Sequence, residues 1–255
     1  MNVTQITVLG ICVIFFATAL GAFTPFLIKK GSKLFSVGAV GFSSGVMLAA
    51  SVWSLILPAL DALKDCGVFK ILPVVGGIVV GCAFMTAIEK LFPEEKLSCQ
   101  NSASKKPMKL FIAVTVHNIP EGLAVGAAFG AASVIGEYSQ YLSALSFALG
   151  IAIQNVPEGA AVALPFAGET NNKLKGCLIG ALSGLVEPVA AILGYCLSAF
   201  VSSLQPWLSS FAAGAMIFVV IKDLLPESYE KSPLVGAWAT VFGFLVMMTL
   251  DVAFG

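Results

Sequence analysis

Long apolar stretches, separated by short charged segments, dominate this sequence. Four of these stretches contain no charged residue, namely 1–28, 34–60, 71–88 and 232–250. Three more contain one acidic residue each: Glu121 in 110–136, Glu158 in 138–168 and Glu187 in 176–221. A membrane-spanning helix needs about 20 apolar residues, so the last stretch has room for two, divided near 202–206. The pattern predicts eight transmembrane spans, at about 5–28, 35–60, 70–90, 110–133, 140–167, 174–200, 206–225 and 233–253.

Composition favours a membrane over water as the surroundings of this chain. Of its 255 residues, 58% are hydrophobic and 11% are charged, and the mean hydropathy is +0.96. An ordinary soluble domain is about 25% charged, and so few charges could not cover a protein surface in water. This excludes a soluble enzyme, a disordered protein and a basic nucleic-acid binder. It leaves an all-α integral membrane protein whose apolar surface contacts the lipid bilayer.

The lysines predict the orientation of the chain. The sequence has no arginine, and all 14 lysines except Lys64 and Lys70 lie in or beside the odd-numbered loops between the predicted spans. Basic residues concentrate on the cytosolic side, so the odd loops are predicted to be cytosolic and both termini extracytoplasmic. We expect one transmembrane domain over 1–255 in the cell membrane. Its longest polar segment, about 91–109, is predicted to be a cytosolic loop between spans 3 and 4.

The sequence also repeats itself. Spans 4 and 5 share the pattern Asn-[Ile/Val]-Pro-Glu-Gly-x-Ala-Val, at 118–125 and again 37 positions later at 155–162. Two weaker matches relate span 2 to span 7 (42–47 with 211–216) and span 1 to span 6 (21–25 with 184–188). Spans 1–3 would then correspond to spans 6–8 in the opposite orientation. Inverted repeats with interrupted helices are the architecture of secondary transporters, so we predict a 3+2+3 inverted-repeat bundle.

The three isolated glutamates lie near the centres of their spans. A charge at the bilayer centre costs about 3 kcal/mol on insertion scales, and no lysine or arginine lies at mid-span to compensate for it. Lys222 is the one basic residue well inside a span, and it lies near the cytosolic end beside Asp223. The compensating positive charge should therefore come from outside the chain, as a metal cation or as protons.

The neighbours of these glutamates indicate which cation. His117 and Asn118 lie one helical turn before Glu121 on the same face, and an equivalent pair precedes Glu158. An imidazole among carboxylates suits Zn²⁺ and its first-row neighbours. An all-oxygen site for Mg²⁺ or Ca²⁺ would not need the histidine, and the scattered cysteines do not support a Cu⁺ site. The candidate metal ligands are His117, Asn118, Glu121, Gln154, Asn155, Glu158 and Glu187.

The paired motifs carry a family resemblance. His117-Asn118-x-Pro-Glu121-Gly and Gln154-Asn155-x-Pro-Glu158-Gly resemble the signature of the ZIP (Zrt/Irt-like) metal transporters, and Glu187-Pro188 in span 6 also matches. Gln154 stands where many members have histidine, which makes the chain similar to the GufA-like branch. The resemblance implies eight spans with outward termini, and a divalent metal as transported substrate without a resident cofactor.

The resemblance further implies a binuclear site. One metal would be held by His117, Glu121, Gln154 and Glu158, and a second by Asn118, Asn155, Glu158 and Glu187, with Glu158 bridging. It implies import of a divalent transition metal into the cytosol by alternating access. Zinc is the expected substrate, with iron, manganese and cadmium as further candidates.

Other classes of protein fit parts of the same pattern. A membrane metal sensor or receptor would bind metal at these residues without transporting it. An intramembrane metalloenzyme would need a motif such as HExxH, and because the chain has a single histidine we expect no enzyme activity. A retinal-binding pump would use a mid-helix lysine, whereas Lys222 lies off-centre. The sequence leaves the oligomeric state open, with a homodimer as one option.

Overall fold

Helices make up the first three spans. The computed structural model of the chain describes residues 1–27, 33–91, 105–200 and 202–254, and within these ranges it contains no strands. The helical segments of spans 1 to 3 are α1 (Val3–Ala22) and α2 (Thr24–Leu27) in span 1; α3 (Lys33–Ala50), a π-helical turn (Ser51–Ile56) and α4 (Leu57–Asp61) in span 2; and a 3₁₀ segment (Lys64–Lys70) leading into α5 (Ile71–Leu91) in span 3.

Spans 4 to 8 complete the chain. Spans 4 and 5 are single long helices, and spans 6 and 7 are interrupted. Their segments are α6 (Lys105–Ile135) in span 4; α7 (Tyr138–Thr170) in span 5; α8 (Lys173–Ser183) and α9 (Val186–Phe200) in span 6; α10 (Gln205–Val219), a π-helical turn (Val220–Leu224) and α11 (Leu225–Lys231) in span 7; and α12 (Pro233–Phe254) in span 8.

The eight predicted spans are confirmed. In the described part of the chain, eight helices are long and apolar enough to cross a membrane, and each coincides with one predicted span. The larger differences lie at the ends of three spans. The 3₁₀ segment of span 3 begins at Lys64 rather than near 70, α6 begins at Lys105 rather than near 110, and α11 ends at Lys231 rather than near 225. The rest of the predicted loop at 91–109 falls on 92–104, outside the described residues.

Spans 1 and 6 both begin with an asparagine N-cap. The side chain of Asn2 accepts a hydrogen bond from the backbone N–H of Gln5 (2.8 Å), and Asn172 accepts one from that of Lys175 (3.0 Å). Both are N-caps, which satisfy a backbone donor that the first helical turn leaves without a partner.

The interruptions also come in pairs. Span 1 breaks at Phe23 and span 6 at Gly184 and Leu185. Spans 2 and 7 each contain one π-helical turn, at Ser51–Ile56 and Val220–Leu224, followed directly by a Leu-Pro pair. A π-turn inserts an extra residue into a helix and is frequent at functional sites. The two halves of the chain therefore share both kinds of helix irregularity.

Packing divides the bundle into two sets of helices. Span 4 packs along span 6 and span 5 along span 1, whereas span 2 packs along span 8 and span 7 along span 3. Contacts of span 5 with span 2 and of span 4 with span 7 join the two sets. These contacts form equivalent pairs when span 1 is matched with span 6, span 2 with span 7, span 3 with span 8 and span 4 with span 5. For example, the contact of span 4 with span 6 corresponds to that of span 5 with span 1. This is the pairing of a 3+2+3 repeat.

Small residues allow the closest of these contacts. A Cβ atom on Gly81 would overlap the backbone carbonyl oxygen of Phe211, and one on Gly243 would overlap that of Phe42. Phe42 and Phe211 begin the matching segments of spans 2 and 7, 169 positions apart. Glycine at such crossings lets two membrane helices approach to backbone contact. The weak sequence match between spans 2 and 7 therefore marks equivalent positions in the packing.

Candidate metal site

The predicted ligands lie on three helices that meet inside the bundle. Helix α6 carries the first three, α7 the next three, and Glu187 lies in the first turn of α9. Five of the seven side chains are fully buried: Asn118, Glu121, Gln154, Asn155 and Glu187. Glu158 is partly exposed. The seventh residue, His117, lies on helix α6, but its side chain is outside the described part of the structure.

Spans 4 and 5 are joined directly at Glu121. The amide nitrogen Nε2 of Gln154 donates a hydrogen bond of 2.6 Å to Oε1 of Glu121. This uses a donor of the amide and one oxygen of the carboxylate. The remaining oxygens, Glu121 Oε2 and Gln154 Oε1, are buried and have no hydrogen-bond partner.

Glu187 is surrounded by donors from three helices. Its Oε1 accepts hydrogen bonds from Thr18 Oγ1 (2.7 Å) and Asn118 Nδ2 (3.0 Å), and its Oε2 accepts one from Asn155 Nδ2 (2.8 Å). Hydrogen bonds to an ionised carboxylate are stronger than those between neutral groups. Such bonds offset part of the cost of burying the charge.

The two asparagines make equivalent bonds on the two sides of Glu187. Asn118 Nδ2 also donates to the backbone carbonyl of Ser183 in span 6 (3.0 Å), and Asn155 Nδ2 to that of Ile14 in span 1 (3.3 Å). Ile14 and Ser183 are 169 positions apart, the same separation that relates spans 2 and 7. The pseudo-twofold relation therefore extends into the site.

This relation corrects the register of one sequence match. A Cβ on Gly122 would overlap the carbonyl oxygen of Glu187, and one on the equivalent Gly159 would overlap that of Thr18. The packing thus makes Thr18 the counterpart of Glu187, whereas the sequence match placed Thr24 there. The sequence match aligned the segments that contain the helix breaks and their prolines. The helix contacts instead pair Glu187 with the residue six positions before Thr24.

Thr18 is the site residue that the motifs did not identify. It is fully buried and has no charge, so it resembles the other polar residues of an apolar helix. One signal could have found it: extending the 169-residue separation of spans 2 and 7 to spans 1 and 6 pairs Thr18 with Glu187.

Acceptor oxygens without partners are concentrated among these side chains. Each of the three amides donates hydrogen bonds through its nitrogen, while its oxygen has no hydrogen-bond partner. Two of the carboxylates also have one oxygen each without a partner. Five of the eight buried side-chain oxygens that lack a hydrogen-bond partner in the described residues belong to the predicted ligands: Asn118 Oδ1, Glu121 Oε2, Gln154 Oε1, Asn155 Oδ1 and Glu158 Oε2. Buried polar atoms are nearly always paired, so such a cluster calls for an explanation. Bound cations would supply the missing partners of these oxygens.

The donor set limits how a metal could be held. Among the described side chains, no three His, Cys, Asp or Glu residues form a group able to bind a metal ion. A metal here therefore needs the amide oxygens of Asn118, Gln154 and Asn155, or the imidazole of His117, in addition to the carboxylates. Amide oxygens are neutral and hard ligands, and they bind transition metals less tightly than imidazole or thiolate does.

A cavity of about 660 Å³ lies at one end of the bundle. Its lining includes Asp61 and Asp251, and Asp251 accepts a hydrogen bond of 2.6 Å from Ser54. On spans 4 and 5 the lining reaches Ala128 and Phe147. These residues lie seven positions from Glu121 and Gln154, or about 10 Å along each helix. The cavity therefore ends two helical turns from the buried carboxylates.

Comparison with known proteins agrees with this architecture. The family model of the ZIP zinc transporters matches residues 107–251. The chain is 32% identical to the human zinc transporter ZIP11, in an alignment of 322 positions including gaps that covers 93% of this chain and 94% of the human protein. It is 32% identical to the zinc transporter GufA of Myxococcus xanthus, over 94% of this chain and 95% of that protein. With the zinc transporter ZIPB of Bordetella bronchiseptica the identity is 35%, over 97% and 81%.

Proposed function

Because the chain belongs to the family of ZIP zinc transporters, a family of multi-pass membrane proteins, we propose that it imports divalent transition metal into the cytosol. Zinc is the expected substrate, with iron, manganese and cadmium as further candidates. One observation carries the proposal beyond the family name. Five acceptor oxygens at mid-span have no hydrogen-bond partner, two from carboxylates and three from amides, and the described residues supply no lysine or arginine there.

The unpaired oxygens support two metal positions. The first comprises His117, Glu121, Gln154 and Glu158, the last three of which each have an unpaired oxygen. The second comprises Asn118, Asn155, Glu158 and Glu187. There the asparagine oxygens are unpaired, whereas both oxygens of Glu187 accept hydrogen bonds. Glu158 is common to both positions and is the only one of the three glutamates with exposed surface, so we expect an ion to meet it while passing between the site and solvent.

The proposed direction of transport is inward. The lysine distribution predicts that the end of the bundle with the cavity, together with both termini, lies at the outer face of the cell membrane. A metal ion would enter through the outer cavity, whose lining includes Asp61, Asp251 and Lys64, lose water and reach the site between spans 4 and 5. The set formed by spans 1, 4, 5 and 6 would then move relative to spans 2, 3, 7 and 8. Weak amide ligands would assist release into the cytosol.

Uptake into proteoliposomes tests this function. The purified full-length protein would be reconstituted around a zinc-sensitive dye, and zinc added outside. We expect saturable influx that is lost in Glu121→Gln and retained in Glu137→Gln. The second variant is the control, because it makes the same carboxylate-to-amide replacement at an exposed glutamate. A wild-type protein that binds zinc tightly in calorimetry yet carries none would contradict transport and favour a membrane metal sensor. Influx through Glu121→Gln at the wild-type rate would contradict the site.

A further inference from the structure

Among the described residues of span 1, Thr18 alone makes a side-chain hydrogen bond to the site. Span 1 has no charged side chain, and Thr18 is fully buried within it. Its hydroxyl lies 2.7 Å from Glu187 Oε1 and 3.3 Å from the carbonyl oxygen of Ile14. The hydroxyl has a single hydrogen, and the shorter distance to a carboxylate favours donation to Glu187.

The helix break in span 6 makes room for this contact. A Cβ atom on Gly184 would come within 2.7 Å of Thr18 Cβ, closer than two such carbons approach. Gly184 lies three positions before Glu187, in the interruption between α8 and α9. The absence of a side chain at Gly184 therefore allows Thr18 to lie against the first turn of α9.

The two oxygens of Glu187 are not equivalent. Oε1 accepts from both Thr18 and Asn118, whereas Oε2 accepts from Asn155 alone. A carboxylate offers about four acceptor positions in total, two on each oxygen. Oε1 is therefore fully occupied, and Oε2 retains one free acceptor position.

From this asymmetry we infer that Thr18 is a specificity-determining positioning residue, which restricts Glu187 to binding metal through Oε2 alone. The inference rests on the proposed function. Single-oxygen coordination suits Zn²⁺, which takes four ligands. Oxygen-seeking cations with higher coordination numbers gain more from a carboxylate that binds through both oxygens. Thr18 thus favours zinc over a cation such as Mn²⁺ without touching the metal.

Competition between the two metals tests this role. Thr18→Val keeps the shape of the side chain and removes the donor, and Thr18→Ser keeps the donor. In proteoliposomes containing Thr18→Val, we expect the ratio of kcat/KM for Zn²⁺ to that for Mn²⁺ to fall about fivefold or more, because a hydrogen bond to a charged group is lost. Thr18→Ser should retain the wild-type ratio. Where Thr18→Val does not fold, Thr18→Ala removes the same donor with a smaller side chain.

The ratio separates positioning from structural damage. A packing defect lowers transport of both metals together and leaves their ratio unchanged. An unchanged ratio in a folded variant that lacks the hydroxyl, or a changed ratio in Thr18→Ser, overturns the inference while leaving transport intact. A wild-type protein that carries neither metal contradicts the proposed function instead, so the two failures are distinguishable.

Discussion

The two halves of the site are built on one plan but differ in chemistry. Spans 4 and 5 repeat the same motif, and each asparagine donates to Glu187 and to a backbone carbonyl of the span beside it. Spans 1 and 6 occupy equivalent positions and carry different residues, because Thr18 in one corresponds to Glu187 in the other. The backbone framework is therefore symmetric, and the charge is not.

This difference shows which features the repeat retains. Backbone approach at Gly122 and Gly159 depends only on the absence of a side chain, so both copies need glycine. A carboxylate at both Thr18 and Glu187 would place two negative charges in direct contact, which is unfavourable in a buried site. One carboxylate with a hydroxyl opposite avoids that repulsion and provides a donor in place of a second acceptor.

The largest effect is expected from the glutamates that the repeat does retain. Glu121→Gln and Glu158→Gln each remove one charge from equivalent positions. We expect zinc transport to fall by at least about 100-fold in both, since loss of a metal ligand costs more than loss of its supporting groups. Zinc flux into proteoliposomes measures this, with Glu137→Gln as the matched control. Loss in only one variant would show that the two equivalent carboxylates have unequal roles.

A packing pair tests the symmetry of the framework itself. Gly122→Ala and Gly159→Ala each introduce a Cβ that overlaps a backbone carbonyl oxygen. We expect each to lower the free energy of unfolding by about 2 kcal/mol through overpacking. Denaturation in detergent micelles measures the loss. Gly168→Ala is the control, because no atom lies within 4 Å of its added Cβ. Tolerance of either site variant would argue against the close approach described there.

The asparagine pair tests how the amides contribute to metal binding. Asn118→Asp and Asn155→Asp each replace a proposed neutral ligand by a charged side chain and remove a donor to Glu187. We expect zinc to bind more tightly and to be released more slowly, so that KM and the maximal rate both fall. Transport kinetics with zinc calorimetry would measure both quantities. An increase in KM in both variants would indicate that donation to Glu187 outweighs the added charge.

The smallest effect is expected at the helix starts. Asn2→Ala and Asn172→Ala each remove an N-cap from the first helix of span 1 or span 6. Each should cost about 1 kcal/mol of stability, with the zinc KM unchanged because neither residue lies near the site. Thermal unfolding of the reconstituted protein checks the stability, and a flux assay checks KM. A changed KM would mean that the helix start influences the site.

Much of the fold was predictable from local pattern. Eight spans follow from uninterrupted apolar length, because a bilayer requires helices that satisfy their own backbone groups. The repeat in spans 4 and 5 was visible because both copies retained their polar residues. The register between spans 1 and 6 was not, because their visible match lies at the prolines, whereas helix contact is made by Thr18 and Glu187. No local pattern in span 1 distinguishes a buried threonine beside a carboxylate from one that bonds to its own helix.

The sequence alone therefore determined the element types, their number and the residue types able to bind a cation. These properties depend on hydropathy and on side-chain chemistry, both of which belong to individual residues. Only the tertiary structure decided which oxygens remain unpaired, and that Glu187 takes its donors from spans 1, 4 and 5. Those properties depend on distances between helices far apart in the chain, which backbone contact at small residues establishes.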